Sequence, residues 1–135
     1  FSSGNGSNFE EIVTATQTKI INGTVIALVC NTPTAFVVTR AAKYPHIQVI
    51  IQEYARSTCR SDYYATIIAQ LDGITIDLIV LAGWMLIVPE SFITAFKCPI
   101  INLHPALPNS FIGTHCIEEA FAANVPQSGL MVHLV

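Results

Sequence analysis

Apolar residues recur along this chain in two rhythms. Between residues 9 and 20 they fall at Phe9, Ile12, Val13 and Ile20, with Ala15 between, which is the spacing of one helix face. Thr14, Thr16 and Thr18 weaken that stretch, and Asn22-Gly23 offers a left-handed end for it. Residues 24–30 then run almost continuously apolar through Val25, Ile26, Leu28 and Val29, which predicts a strand. The alternation repeats. After a turn at Asn31-Thr32-Pro33 come a helix over 34–43, a strand over 47–51 and a polar loop over 52–60. A helix over 62–71 closes at Asp72-Gly73, and the most apolar strand, expected at the sheet centre, covers 76–82. A short helix over 89–96 starts with Pro89 and Glu90, as helix N-termini favour. A strand over 100–103, a loop over 104–113, a helix over 114–124 and a strand over 130–135 complete the chain. Residues 1–8 read as a glycine-rich turn in which Ser7 or Asn8 caps the first helix.

Helix and strand in alternation imply parallel strands joined by right-handed crossovers. The expected class is α/β: a three-layer α/β/α, Rossmann-like, mostly parallel sheet, in one domain over residues 1–135. Ligands of such sheets bind beyond the carboxyl ends of the strands. The informative segments are therefore 2–8, 30–35, 52–60, 82–88, 102–113 and whatever follows 135.

Composition narrows the picture. Hydrophobic residues make up 52% of the 135 and charged residues 11%, against about 25% in ordinary domains, which excludes intrinsic disorder. Six Lys plus Arg against nine Asp plus Glu give a net charge of -3 with no basic block, so no nucleic-acid partner is expected. The apolar stretch over 20–39 is broken by Asn22, Gly23, Asn31 and Pro33. The run over 78–88 falls short of the roughly 20 residues that cross a bilayer, so both read as buried strands and no membrane partner is expected. Cys30, Cys59, Cys98 and Cys116 form no C-x-x-C pair, and free thiols without a secretion signal point to the cytoplasm. The start at Phe1 and the finish within an apolar run at Val135 suggest a domain lacking an N-terminal strand and a C-terminal portion.

Three segments can carry chemistry. Ser3-Gly4-Asn5-Gly6-Ser7-Asn8 combines close-approach glycines with backbone amides at a helix start, which suits a phosphate. It is neither G-x-G-x-x-G, since Phe9 takes the third glycine position, nor a Walker loop. Ala82-Gly83-Trp84-Met85-Leu86-Ile87-Val88 follows the central strand; its side chains suit core packing, while its backbone can read the edge of a heterocycle. Asn102 and His104 alternate with apolar residues and share one strand face before Pro105. An amide that holds a developing oxyanion beside an imidazole that moves a proton suits acyl chemistry. His104, His115 and His133 lack metal-ligand spacing, so no metal is expected, and no serine elbow supports a nucleophile. Arg56 and Arg60 read as a solvated loop pair, of which Arg60 can meet an anionic ligand tail.

Together these segments resemble, in order and over essentially the whole chain, the folate-dependent phosphoribosylglycinamide formyltransferase family. Asn102-Leu103-His104-Pro105-Ala106-Leu107-Pro108, followed by Phe111, Gly113, Thr114 and His115, resembles its formyl-transfer signature, and Met131-Val132-His133 a strand lining the same site. The resemblance implies that Gly6, Ser7 and Asn8 bind the phosphate of glycinamide ribonucleotide. It implies that Arg60 approaches 10-formyltetrahydrofolate and that Met85, Leu86, Ile87 and Val88 receive its pterin, mostly through backbone groups. Asn102 would also meet the folate, binding the formyl oxygen, with His104 as general acid. The chain departs from the family at Leu86, where many relatives carry Arg, and at Ala106-Leu107-Pro108-Asn109, where relatives usually have Ser-Leu-Leu-Pro. The family's catalytic Asp would lie a few residues past Val135; the aspartates present are Asp62, Asp72 and Asp77. The competing readings are another 10-formyltetrahydrofolate formyltransferase or hydrolase, or a non-catalytic phosphate-ligand binding fragment.

Overall fold

A computed structural model describes residues 1–113 and 115–135; Thr114, part of the signature above, lies outside the described residues. The elements follow the predicted order. They are α1 (Ser7–Gln17), β1 (Ala27–Cys30), α2 (Phe36–Ala41), β2 (Gln48–Ile51), α3 (Arg60–Leu71), β3 (Ile79–Leu81), α4 (Glu90–Ala95), β4 (Ile100–His104), α5 (Cys116–Ala122) and β5 (Met131–Leu134).

β1 pairs in parallel with β2, with Val29 opposite Ile50, and β3 in parallel with β4, with Leu81 opposite Asn102. Residues 1–3 join the two ladders. Ser2 N–H donates to Val29 O (3.0 Å), the Phe1 nitrogen to Val80 O (2.8 Å), and Ala82 N–H to Phe1 O (2.9 Å). The spatial order is thus β2, β1, residues 1–3, β3, β4, β5.

β1 shows why its sequence reads as continuously apolar. Leu28 and Cys30 pack with Phe9, Val13, Val37 and Ala41 of α1 and α2, whereas Val29 packs with Tyr63, Tyr64, Ile67 and Phe92 of α3 and α4. A strand covered on both faces has no solvent side to make polar. Helices on both faces give the expected three layers, and the second core is tied by edge-on aromatic contacts such as Tyr64–Phe92 (5.0 Å) and Phe1–Trp84 (5.2 Å).

Three local expectations are corrected. The first helix ends at Gln17, and Lys19 (φ 63), not Gly23, takes the left-handed position. The threonines explain this: Thr16 and Thr18 hydroxyls donate back to Val13 O (2.7 Å) and Thr14 O (2.9 Å), competing with continuation of the helix. The N-cap of α1 is Gly6 (φ 75), not Ser7 or Asn8, and no side chain caps it. Finally, β5 runs antiparallel to β4, with Met131 opposite His104 and His133 opposite Asn102. The connection leaves β4 at its carboxyl end, and the seven-residue α5, roughly 10 Å long, returns the chain to that same end. The start of β5 therefore stands beside His104.

Candidate active site

The loops predicted to carry chemistry meet at the carboxyl ends of β1, β3 and β4. α2 shapes the first of them. Val37 N–H donates to Gly4 O (3.1 Å), and a Cβ at Gly6 would overlap the Val37 side chain. Only glycine meets both demands, the positive φ and the close approach. The first intrahelical bond is Glu10 N–H to Gly6 O (3.0 Å). The amides of Ser7, Asn8 and Phe9 therefore precede the α1 ladder, with no capping side chain, at the positive end of the helix dipole.

Ser3 ties this loop to the segment after β3. Its N–H donates to Gly83 O (2.9 Å), and its hydroxyl accepts the Met85 N–H (3.1 Å). That segment splits by side chain. Trp84 is buried, Leu86 and Val88 pack against the core, and Met85 and Ile87 are exposed. Trp84 Nε1–H donates to the Tyr64 hydroxyl (2.8 Å), which in turn lies 3.4 Å from the Leu86 carbonyl. Burial pushes the Tyr64 hydroxyl above the usual tyrosine range, so it keeps its proton as a donor; Arg60, one turn earlier on α3, opposes this.

Asn102 and His104 share a face of β4, as their spacing predicts. His133 Nδ1 lies 2.8 Å from Leu134 O, an acceptor only, so Nδ1 carries the proton and Nε2 is left to accept. Asn102 Nδ2 then donates to that Nε2 (3.1 Å), which fixes the amide and leaves its second N–H free. By the same logic His104 Nε2–H donates to the Phe111 carbonyl (3.0 Å), leaving Nδ1 as the open ring position. Phe111 (φ 46) and Asn109 (φ 63) both sit in the left-handed region, and Ser110 Oγ donates to Leu107 O (2.7 Å) within the same turn. An aromatic residue at positive φ is strained backbone, and such strain gathers at functional sites.

A cavity of about 260 Å³ lies between α1 and the β3–β4–β5 ladder. Asn8, Glu11 and Ile12 of α1 line it together with Val80, Ala82, Ile101, Asn102, Leu103 and Val132. The structure thus brings Asn8 and Asn102 to one space. A larger cleft of about 490 Å³ opens along the approaches to β1 and β3 and meets this cavity at Ile12, Val80 and Ala82. His115 is not drawn in; it pairs with Glu118 (3.1 Å) on the exposed start of α5. Among the described residues no three His, Cys, Asp or Glu side chains gather as a metal site. Sequence reasoning missed Ser3 as a fastening residue, and Tyr64 and Arg40 altogether; their contacts span 82, 22 and 35 positions, and no local pattern announces them.

Comparison with known proteins agrees with this geometry. The formyl transferase family model matches residues 1–135. The chain belongs to the formyl transferase family. It is 37% identical to the phosphoribosylglycinamide formyltransferase of Dictyostelium discoideum, over 98% of this chain and 72% of that one. It is 37% identical to that of Bacillus subtilis, over 100% and 69%. The crystal structure of phosphoribosylglycinamide formyltransferase from Bacillus halodurans superposes with a TM-score of 0.92 at 34% identity, covering all of this chain and 69% of that one. The family's fold is the α/β sheet described above, and its members use formyl-tetrahydrofolate as co-substrate. No helix among the described residues is long and apolar enough to cross a membrane.

Proposed function

We infer that this chain transfers the formyl group of 10-formyltetrahydrofolate to the amine of glycinamide ribonucleotide, as the names of its relatives in purine synthesis indicate. The observation that carries the proposal is the cavity shared by Asn8 at the uncapped start of α1 and Asn102 on β4. It sets the start of α1 at one end and Asn102 at the other; His104 shares the strand face of Asn102 and lies outside this lining. Gly6, Ser7 and Asn8 are assigned to the ribonucleotide phosphate, where the donors and the helix dipole favour negative charge.

The folate is assigned to the 82–88 segment and Arg60. Met85 and Ile87 present exposed apolar surface, and the Tyr64–Trp84 pair steadies the Leu86 backbone. When bound, the folate supplies an activated formyl carbon. The ribonucleotide amine attacks that carbon and forms the new C–N bond, placing negative charge on the formyl oxygen. The free N–H of Asn102 donates to that oxygen as the charge develops. His104, with Nε2–H held by Phe111, presents a bare Nδ1 that takes the proton given up by the attacking amine and passes it to the departing folate nitrogen. The attacking amine gives up a proton, the old C–N bond breaks, and charge balances. The free thiols Cys30, Cys59, Cys98 and Cys116 fit a cytoplasmic protein.

Amide chemical-shift mapping tests the ligand assignment. Glycinamide ribonucleotide is expected to move the N–H signals of Ser7, Asn8 and Phe9, inorganic phosphate the same set, and a folate analogue those of 85–88. Shifts confined to residues 21–26 and 75–79, at the far side of the 490 Å³ cleft, would overturn it.

A further inference from the structure

The phosphate loop is held by a residue that is not part of it. Arg40, near the end of α2, directs its guanidinium to three acceptors. Nε donates to the Asn5 backbone carbonyl (2.9 Å) and Nη2 to Asn5 Oδ1 (2.9 Å), while Nη1 pairs with Glu10 in the first turn of α1. The Phe36 ring lies 4.9 Å beneath the same guanidinium, and Lys43 holds the other Glu10 oxygen (2.7 Å). The Arg40 side chain keeps only 18% of its exposure.

We propose that Arg40 is a positioning residue for phosphate recognition, clasping Asn5 to Glu10 so that the amides of Ser7, Asn8 and Phe9 stay aimed as one set. The inference rests on the assignment of that helix start to the ribonucleotide phosphate. Its physical basis is geometric. Asn5 stands immediately before Gly6, whose positive φ turns the chain into α1, and a glycine-flanked residue is mobile unless tied. A planar guanidinium can grip a backbone carbonyl, a side-chain carbonyl and a carboxylate at once, and the amine of lysine cannot. Pre-setting the donors removes the ordering cost that binding would otherwise carry. Glu10 contributes as an anchor. Its carboxylate, unpaired, would also repel a phosphate dianion, and Arg40 with Lys43 cancels that charge.

The test uses the protein as its gene encodes it, with calorimetric titration and steady-state kinetics. Arg40→Met is expected to weaken glycinamide ribonucleotide about tenfold, and inorganic phosphate in parallel. Affinity for the dephosphorylated glycinamide riboside and for the folate is expected to be unchanged, with kcat at saturation within about twofold. Arg40→Lys recovers part of the loss. Asn5→Ala removes the Nη2–Oδ1 bond while the Nε bond to the residue 5 carbonyl and the Arg40–Glu10 pair remain, so it reads a smaller loss of the same kind should Arg40→Met misfold. Unchanged phosphate affinity in the folded variants, or an equal loss of riboside and folate affinity, would overturn the proposal. So would full recovery of Arg40→Met by Glu10→Gln, which would reduce Arg40 to a countercharge. If the parent protein itself binds no phosphate at the α1 amides, it is the site assignment that fails, and the clasp has nothing to position.

Discussion

The proposed transfer places its chemistry on two side chains of β4, and each is oriented by a partner whose acceptor identity settles a tautomer. Leu134 O fixes His133, His133 fixes Asn102, and Phe111 O fixes His104. Asn102→Ala removes the donor to the developing oxyanion and is expected to lower kcat by about 10²–10³-fold. His104→Ala is expected to cost about 10²–10⁴-fold in kcat, with circular dichroism unchanged, because His104 is only partly buried and its removal leaves the core intact. A second residue-scale expectation concerns acid. Lys43, then Arg40, holds the Glu10 carboxyl below the usual carboxylate range. The folded state therefore releases this proton more readily than the unfolded chain. The resulting stabilisation is complete above the ordinary value of 4.5 and is lost as pH falls through the lower folded value. Melting curves should show Glu10→Gln below the parent at neutral pH, with the gap closing in acid. Cys59 gives a chemical contrast. The Ser61 hydroxyl and the backbone N–H groups of Ser61 and Asp62 pull its thiol down, whereas burial pushes Cys98 up, so iodoacetamide should alkylate Cys59 first, as peptide mapping would show.

At the scale of elements, the segment order was legible because strands covered on both faces leave continuous apolar runs and the turns carry Gly, Pro and Asn. Asn102 and His104 were legible too, since a period of two puts them on one face. The end of α1 was not, because threonine hydroxyls that bond back to Val13 and Thr14 act against the propensity pattern. Nor was the direction of β5, which depends on α5 being too short to carry the chain to the far end of the sheet. Ser3, Arg40 and Tyr64 act through tertiary pairings that no window of sequence contains. Tyr64 shows what such a pairing is worth. Tyr64→Phe strands the buried Trp84 N–H and frees the Leu86 carbonyl. It should cost about 1–3 kcal/mol in denaturant unfolding and raise KM for the folate more than for the ribonucleotide.

Over the whole molecule, two cores flank the sheet around β1, and the loops assigned to ligands all project from one end of it. Charged residues are sparse, at 11% of the chain. Val132 (60% exposed) and Leu134 (71%) stand on one face of β5, and Ile117 and Phe121 stand one turn apart on α5. Exposed apolar surface of this kind drives association, so light scattering on this 135-residue chain should show self-association that Phe121→Lys with Leu134→Lys reduces. Those positions lie outside the Asn102–His104 pair and do not enter the chemistry assigned to it. What unites the scales is formyl transfer at the sheet's carboxyl end. Its most direct test is a reaction of the gene-encoded protein with glycinamide ribonucleotide and 10-formyltetrahydrofolate, with products identified by mass. Formylated ribonucleotide, formed by the parent and suppressed in His104→Ala, is the expected result. Free formate with the ribonucleotide unchanged, or equal turnover by parent and variant, would contradict it.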